Sequence, residues 1–172
     1  AVSIYDYAWR PFFFSRAPDP DAKKIFSRVM TYLVLLLSAL FLAFVFFVPD
    51  IARLEVAGRH FIHPRYWEGL GIVPVIMAGY FFLGISTNLS AGIYIEKKTK
   101  YLPAINMAGA AINIGLNYLM IPRFGIAGAA WATFIAYFAM AGILYVASRQ
   151  IYPIEYEWDR IWKISAVAGA LL

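Results

Sequence analysis

The chain contains no cysteine and few charged residues. Charged side chains make up 15% of its 172 residues, whereas 62% are hydrophobic and 18% are aromatic. An average soluble domain carries about 25% charged residues. The absence of cysteine excludes disulfides and thiolate-bound metal sites. This composition predicts a membrane protein.

Acidic residues are missing from the long apolar runs of the sequence. All ten aspartates and glutamates lie outside these runs, so the runs carry no carboxylate that couples transport to protons or sodium ions. We find no nucleophile–base constellation and no glycine-rich phosphate loop in the sequence. We therefore expect no enzyme activity, no catalytic residue, no metal and no cofactor.

The two histidines lie close together in the polar connection at residues 49–68. His60 and His63 are three residues apart and can share a helix face, which raises the question of a metal site. Neither a cysteine nor a well-spaced third ligand accompanies them. We interpret them as interfacial side chains beside Tyr66 and Trp67.

The longest apolar region, at residues 106–148, consists of two runs separated by a four-residue turn. The turn is Pro122-Arg123-Phe124-Gly125. Proline lacks an amide hydrogen and disfavours helical geometry in the residue before it, so we expect Pro122 to end the first helix. Each run is long enough to cross a bilayer. The region therefore predicts an antiparallel membrane hairpin.

The same criteria predict an all-α polytopic membrane bundle, a single transmembrane region over residues 1–172. Asp19 and Pro20 are expected to start the first span, and Pro49 to end it. Pro74 and Gly79 are positions where the second span can bend. The predicted spans cover residues 20–48, 69–95, 102–121 and 126–147, with a fifth beginning at 161–172.

The fourth span carries a stripe of small residues. Gly128, Ala132 and Ala136 recur every four residues and share one helix face. Small residues at a helix interface let a second helix approach closely. We expect this stripe to pack against the third span.

Asparagines within the spans are candidates for lining a substrate cavity. Asn106, Asn113 and Asn117 fall within about 20° of one line on a helix, and Asn88 lies in the most polar part of the second span. Amides facing lipid are costly, so the row is expected to face protein or a water-filled cavity. Two interpretations stay open: hydrogen bonds to a neighbouring helix such as the second span, or a wall for passing sugar hydroxyls.

The hairpin also carries a family resemblance. Residues 119–133 read LMIPRFGIAGAAWAT, which resembles the L-I-P-x-x-G-I-x-G-A-A-x-A-T signature of bacterial polysaccharide flippases. These belong to the superfamily of the lipid II flippase and the MATE multidrug exporters. The resemblance extends to residues 66–70 and 96–100 and covers most of residues 10–165. It implies a MATE-like fold, a fragment of the C-terminal half, and the missing N-terminal half as a partner.

The resemblance implies a transporter in the bacterial cytoplasmic membrane, crossing it several times. Its expected function is to move a polyprenyl-linked oligosaccharide across that membrane for cell-surface polysaccharide or lipopolysaccharide biosynthesis. A MATE-type small-molecule exporter and a non-transporting membrane assembly module are the alternatives. The exporter predicts acidic residues facing a cavity, and the assembly module predicts spans without a hydrated interior. The expected partners are membrane lipids and the lipid-linked oligosaccharide, and no nucleic acid.

Lysine and arginine predict the orientation. Successive connections between spans lie on alternate sides of the membrane. This arrangement places eleven of the 15 basic residues, including every lysine, on one side. This excess predicts that side to be cytoplasmic and the connection at 49–68 to be external. Arg10, Lys97 and Lys98 on that side are candidates for contact with a lipid headgroup or a substrate phosphate. Their alternative interpretation is ordinary positive-inside topology.

Overall fold

The computed structural model describes residues 2–56, 59–60 and 62–171 and is almost entirely helical. Its elements are α1 (Val2–Arg16), α2 (Ala22–Arg53), β1 (Glu55–Val56), β2 (Arg59–His60), a 3-10 helix (Pro64–Ile72), α3 (Val73–Leu89), α4 (Ala91–Ile95), α5 (Tyr101–Ile151) and α6 (Trp158–Ala170). The predicted helical class is confirmed. The antiparallel pairing of β1 with β2 in the polar connection was not predicted.

Three helical segments are long and apolar enough to cross a membrane. They are Ala22–Arg53, Pro64–Ile95 and Tyr101–Ile151, with mean hydropathies of 2.6, 1.9 and 1.7 in their most apolar stretches. At most 33% of these stretches is buried inside the bundle. Apolar side chains therefore face outward along these segments, as a hydrocarbon surrounding requires. These properties are those of a membrane protein.

The predicted hairpin is present within α5. The chain reverses at Gly125, whose φ of 55° and ψ of −132° are not helical. The amide nitrogen of Asn113 lies 3.4 Å from the hydroxyl of Thr133, although residues 20 apart in a straight helix lie about 30 Å apart. We call residues 101–124 the first arm and residues 126–151 the second arm.

The expectation that Pro122 ends the first helix is wrong. The first arm continues through Pro122, and the break falls at Gly125. Proline fixes φ near −65°, a value that fits a helix, and its missing amide hydrogen removes one helical hydrogen bond. The reversal needs a positive φ, which glycine adopts without strain.

The predicted ends of the first span are wrong for related reasons. α2 begins at Ala22, two residues after Pro20, with Asp21 at its N-cap, and the Asp19 carboxylate accepts a hydrogen bond from Arg16 at 3.1 Å and does not cap the helix. At its other end α2 continues through Pro49 to Arg53. Ala52 is fully buried there, and its carbonyl accepts a hydrogen bond from the Ile62 amide at 3.3 Å.

The second predicted span is built from three helical pieces. The 3-10 helix leads into α3, and Pro74 lies in the first turn of α3, where it starts the α-helix. Helical geometry continues through Gly79, which is buried against the backbone of Phe134. The break falls at Ser90, between α3 and α4.

Helix α3 packs on the second arm and on α2. Phe82 contacts Phe134 and Phe138 edge to face, with ring centroids 5.8 and 4.9 Å apart. Further along, Gly92 approaches Ser148, so α3 and the second arm run in the same direction. The shared core is Met30, Val34, Leu89, Ile93, Ile105, Met140, Leu144 and Ile161.

Helix α1 packs at the basic end of the bundle. Trp9 and Phe13 are buried there against Phe26 and Ala91. Ser27 at the start of α2 donates to the carbonyl of Glu155 at 2.7 Å, which fixes the connection before α6 to the same end. The connections that carry the lysines therefore lie at one end of the bundle.

Candidate functional site

A cavity of about 870 Å³ lies between α1, α2, α3 and both arms of α5. Its two walls differ in chemistry. The wall from α2 is apolar and consists of Leu37, Leu40, Phe41 and Phe44. The rest of the lining, from α3, α4 and both arms of α5, combines apolar side chains such as Leu83 and Met140 with hydrogen-bonding groups, which we call the polar wall, namely Ser86, Thr87, Ser90 and Asn106. Such a cavity can hold a ligand that is polar on one side and apolar on the other.

An ion pair lines the basic end of this cavity. Arg10 Nη2 donates to Asp6 Oδ2 at 2.8 Å, and the two residues lie one helical turn apart on α1. The guanidinium also lies over the ring of Tyr94, 5.0 Å from its centroid. The hydrogen bond to Asp6 raises the pKa of Arg10 above its ordinary value. Arg10 thus places a half-exposed cation at this end of the cavity.

The hydroxyl groups of the polar wall retain capacity for a ligand. Thr87 donates to the carbonyl of Leu83 at 3.1 Å, and Ser90 donates to the carbonyl of Thr87 at 2.8 Å. A hydroxyl that donates to its own helix still has lone pairs that accept a hydrogen bond. These side chains can therefore accept hydrogen bonds from sugar hydroxyls inside the cavity.

The predicted asparagine row is divided between two environments. Asn106 is exposed and lines the cavity. Asn117 donates to Asn113 at 2.9 Å, and Asn113 donates to Thr133 of the second arm. Neither Asn113 nor Asn117 is among the cavity-lining residues. The packing interpretation fits these two, although Asn113 bonds to the second arm and not to the second span, and Asn117 bonds to Asn113 within the first arm.

Asn88 is a packing residue between helices. It is 2% exposed, and its amide donates to the Tyr5 hydroxyl at 2.7 Å. This bond ties α3 to α1 at Tyr5, the residue before Asp6 of the ion pair. Asn88 therefore positions the cavity wall but does not line it.

Lys97 and Lys98 lie outside the cavity. Both are exposed in the connection between α4 and α5, where Lys97 has a φ of 55°. The Lys98 amide donates to the carbonyl of Ile93 at 3.0 Å and helps end α4. Their ammonium groups are placed for contact with lipid headgroups at the basic end. The structure brings neither lysine together with Arg10 at the cavity.

Asp6 is the cavity residue that the sequence reasoning missed. It lies on α1, outside the three membrane-length segments, and its side chain is 29% exposed. The available signal was the spacing of Asp6 and Arg10, since residues four apart on a helix are neighbours. Nothing in the sequence indicated that α1 folds back against α3.

A second cavity, of about 580 Å³, lies between α2, α3, the second arm and α6. Its lining is almost entirely apolar, including Val34, Phe82 and Ile161. Phe41 and Phe81 line both cavities and separate them. The hydroxyl of Ser38 is buried without a hydrogen-bond partner in this apolar region. Of these two cavities, the first has the more polar lining.

The predicted absence of a metal site rests on the sequence. Among the residues that the structure describes, no group of three or more histidine, cysteine or acidic residues could hold a metal ion. His63 Nδ1 accepts a hydrogen bond from the Arg65 amide at 3.3 Å. The side chain of His60 lies outside the described residues.

Comparison of the chain with protein-family models, with curated proteins and with solved structures found no match. The resemblance to polysaccharide flippases therefore rests on the residues of the hairpin and the connections quoted above. The cavity provides an independent physical observation about function.

Proposed function

We propose that this chain is part of a flippase that moves a polyprenyl-linked oligosaccharide across the bacterial cytoplasmic membrane. The observation that carries the proposal is the two-sided cavity, in which apolar α2 side chains face Thr87, Ser90 and Asn106 with Arg10 at the basic end. The hairpin resemblance supports the same function.

The chemistry of the walls matches the three parts of such a substrate. Glycan hydroxyls bind amides and hydroxyls on the polar wall, because unpaired polar groups are costly in a low-dielectric surrounding. The pyrophosphate binds the guanidinium of Arg10 through charge-assisted hydrogen bonds. The polyprenyl chain stays in contact with apolar surfaces. In a MATE-like fold this chain forms part of one lobe, and alternating access takes place between the two lobes.

Removing hydrogen-bonding groups from the polar wall tests the proposal. One lost hydrogen bond costs about 1 kcal/mol, so Thr87→Val and Asn106→Leu should each lower glycan transport about fivefold. Transport is measured as surface glycan per folded molecule in cells that depend on this protein. Ser38→Ala is the matched control, because it removes a span hydroxyl that lies outside this cavity. Full transport by the Thr87→Val, Asn106→Leu double variant would refute the proposal.

Asp6 favours a second candidate, a MATE-type exporter of small cations. A carboxylate at a cavity is the group that such an exporter uses, and Asp6 lies at this cavity. Its ion pair with Arg10 neutralises that charge, which favours the flippase. If a quaternary ammonium compound protects a cysteine in the cavity from maleimide labelling and a lipid-linked glycan does not, the exporter becomes the favoured function.

The polar wall counts against a non-transporting assembly module. Such a module predicts spans without a hydrated interior. Single cysteines placed along α3 and the first arm separate the two functions, since the chain has no cysteine of its own. In a transporter, a water-soluble maleimide labels cysteines at positions 87 and 106.

A further inference from the structure

Helix α1 holds the Asp6–Arg10 pair in a defined place at the cavity. Trp9, between them in sequence, is 3% exposed and packs against Phe26 with ring centroids 5.7 Å apart. Tyr5 is tied to Asn88 on α3. These buried contacts lie about 100° around α1 from the ion pair, so they fix the backbone of α1 while leaving Arg10 at the cavity.

The ion pair leaves Arg10 open to competition. The bond joins one guanidinium nitrogen to one carboxylate oxygen, and the Arg10 side chain is 48% exposed. Exposed ion pairs are weak because water screens them. A guanidinium presents a planar fork of donors that matches two phosphate oxygens at once. A ligand with several phosphate oxygens can therefore take Arg10 from Asp6, whereas a neutral sugar offers no charge with which to do so.

We propose that Asp6 is a specificity-determining residue, which holds Arg10 until a diphosphate displaces it. This inference rests on the proposed function and names the part of the substrate that is selected. A diphosphate carries more charge than the single carboxylate it replaces, so it competes well. A lipid with one phosphodiester carries one negative charge, the same as Asp6, and gains little from the exchange. Asp6 thus discriminates against ordinary phospholipids.

The test measures ligand affinity of the purified protein in maltoside micelles, which contain no phosphate. Three probes are titrated calorimetrically: farnesyl diphosphate, inorganic pyrophosphate and phosphatidylglycerol. Because the competing ion pair is weak, Asp6→Asn should bind both diphosphates about three- to fivefold more tightly than wild type. Arg10→Gln should bind them at least about tenfold more weakly. Phosphatidylglycerol should gain more affinity than the diphosphates with Asp6→Asn, because the substitution removes the carboxylate that excludes it from Arg10.

A double-mutant cycle isolates the proposed competition. Asp6 acts through Arg10, so the double variant D6N/R10Q should bind as R10Q does. The matched control is Asp19→Asn, since Asp19 forms a comparable pair with Arg16 at 3.1 Å near the end of α1 and does not line the cavity. Asp19→Asn should leave all affinities unchanged. Circular dichroism and gel filtration check that every variant is folded.

The outcomes separate this inference from the proposed function. Equal diphosphate affinities of wild type and D6N, or a D6N gain that persists without Arg10, overturn the role of Asp6. A gain with phosphatidylglycerol that is no larger than the gain with the diphosphates overturns the role of Asp6 in selecting diphosphate. The flippase proposal fails on a different result, namely full transport by the Thr87→Val, Asn106→Leu double variant. The binding measurements with D6N do not depend on that transport assay.

Discussion

Asn106 and Asn113 share a helix face but have different surroundings. The periodicity of the first arm correctly places both on one line. What lies opposite that line changes along the arm, because Asn113 meets Thr133 of the second arm and Asn106 meets the cavity. A helix period indicates which residues share a face and contains no information about the opposing element.

Asn113→Leu should weaken the hairpin and leave transport intact. The variant loses two hydrogen bonds, the one to Thr133 and the one from Asn117, and side-chain hydrogen bonds in membrane helices contribute about 0.6 kcal/mol each. We expect a loss of about 1 kcal/mol in the free energy of unfolding, measured by titration with a denaturing detergent. Surface glycan per folded molecule should match that of wild type. The opposite pattern, a stable protein that no longer transports, would place Asn113 in the cavity.

At the scale of helices, glycine and small residues set the packing of α5. Gly128, Ala132 and Ala136 are all buried, as the stripe predicted. A Cβ atom added at Gly128 would lie 2.5 Å from the carbonyl oxygen of Met120 on the first arm. Gly128 therefore packs against the first arm, as expected for the stripe, and Ala132 and Ala136 are buried.

Gly128→Ala should destabilise the hairpin more than the size of a methyl group implies. The added methyl meets backbone, which cannot rotate away, and overpacking of this kind typically costs about 1–3 kcal/mol. The measurement is the thermal midpoint by fluorescence-detected gel filtration. Ala132→Leu, on the same buried stripe, should behave alike.

Gly115→Ala is the control for that experiment. Gly115 lies in the first arm, and nothing lies within 4 Å of a Cβ added there. Alanine is a better helix former than glycine by about 1 kcal/mol, so this variant should unfold at the same or a slightly higher temperature. Equal midpoints for Gly128→Ala and Gly115→Ala would show that the two arms do not approach closely at Gly128.

The prolines show which boundaries the sequence could not supply. Pro49 and Pro122 lie inside helices, whereas the breaks fall at Ser90 and Gly125. A proline removes one hydrogen bond, and the packing of its helix decides whether that loss ends the helix. The apolar runs themselves were predictable, because about 20 apolar residues have no other stable arrangement in a bilayer.

At the scale of the molecule, the sequence predicted the hairpin and the side of the membrane on which each connection lies, but it did not predict the cavity. The cavity depends on contacts between distant residues, such as Tyr5 with Asn88. The charge of Arg10 alone made it a candidate for contact with a phosphate. Asp6 was not a candidate for the cavity, because it lies outside the apolar runs. The position of α1 against α3 brings both to the cavity wall.

The orientation of the bundle gives a prediction for intact cells. The connection containing Lys98 belongs to the basic end, and His63 belongs to the opposite connection. Both side chains are exposed, so labelling of cysteines at these positions depends only on the side of the membrane. A membrane-impermeant maleimide should label cysteine at position 63 and not at position 98. Labelling at 98 alone would invert the topology.

Substrate protection at Thr87 tests the central claim, that the two-sided cavity binds a lipid-linked oligosaccharide. Membranes containing the Thr87→Cys variant are treated with a water-soluble maleimide, with and without excess polyprenyl-linked oligosaccharide. We expect labelling to slow at least about tenfold when the substrate is present, since a bound glycan covers Thr87. Cysteine at position 98, outside the cavity, should label at one rate in both conditions. Equal labelling rates at position 87 with and without the oligosaccharide would contradict the claim.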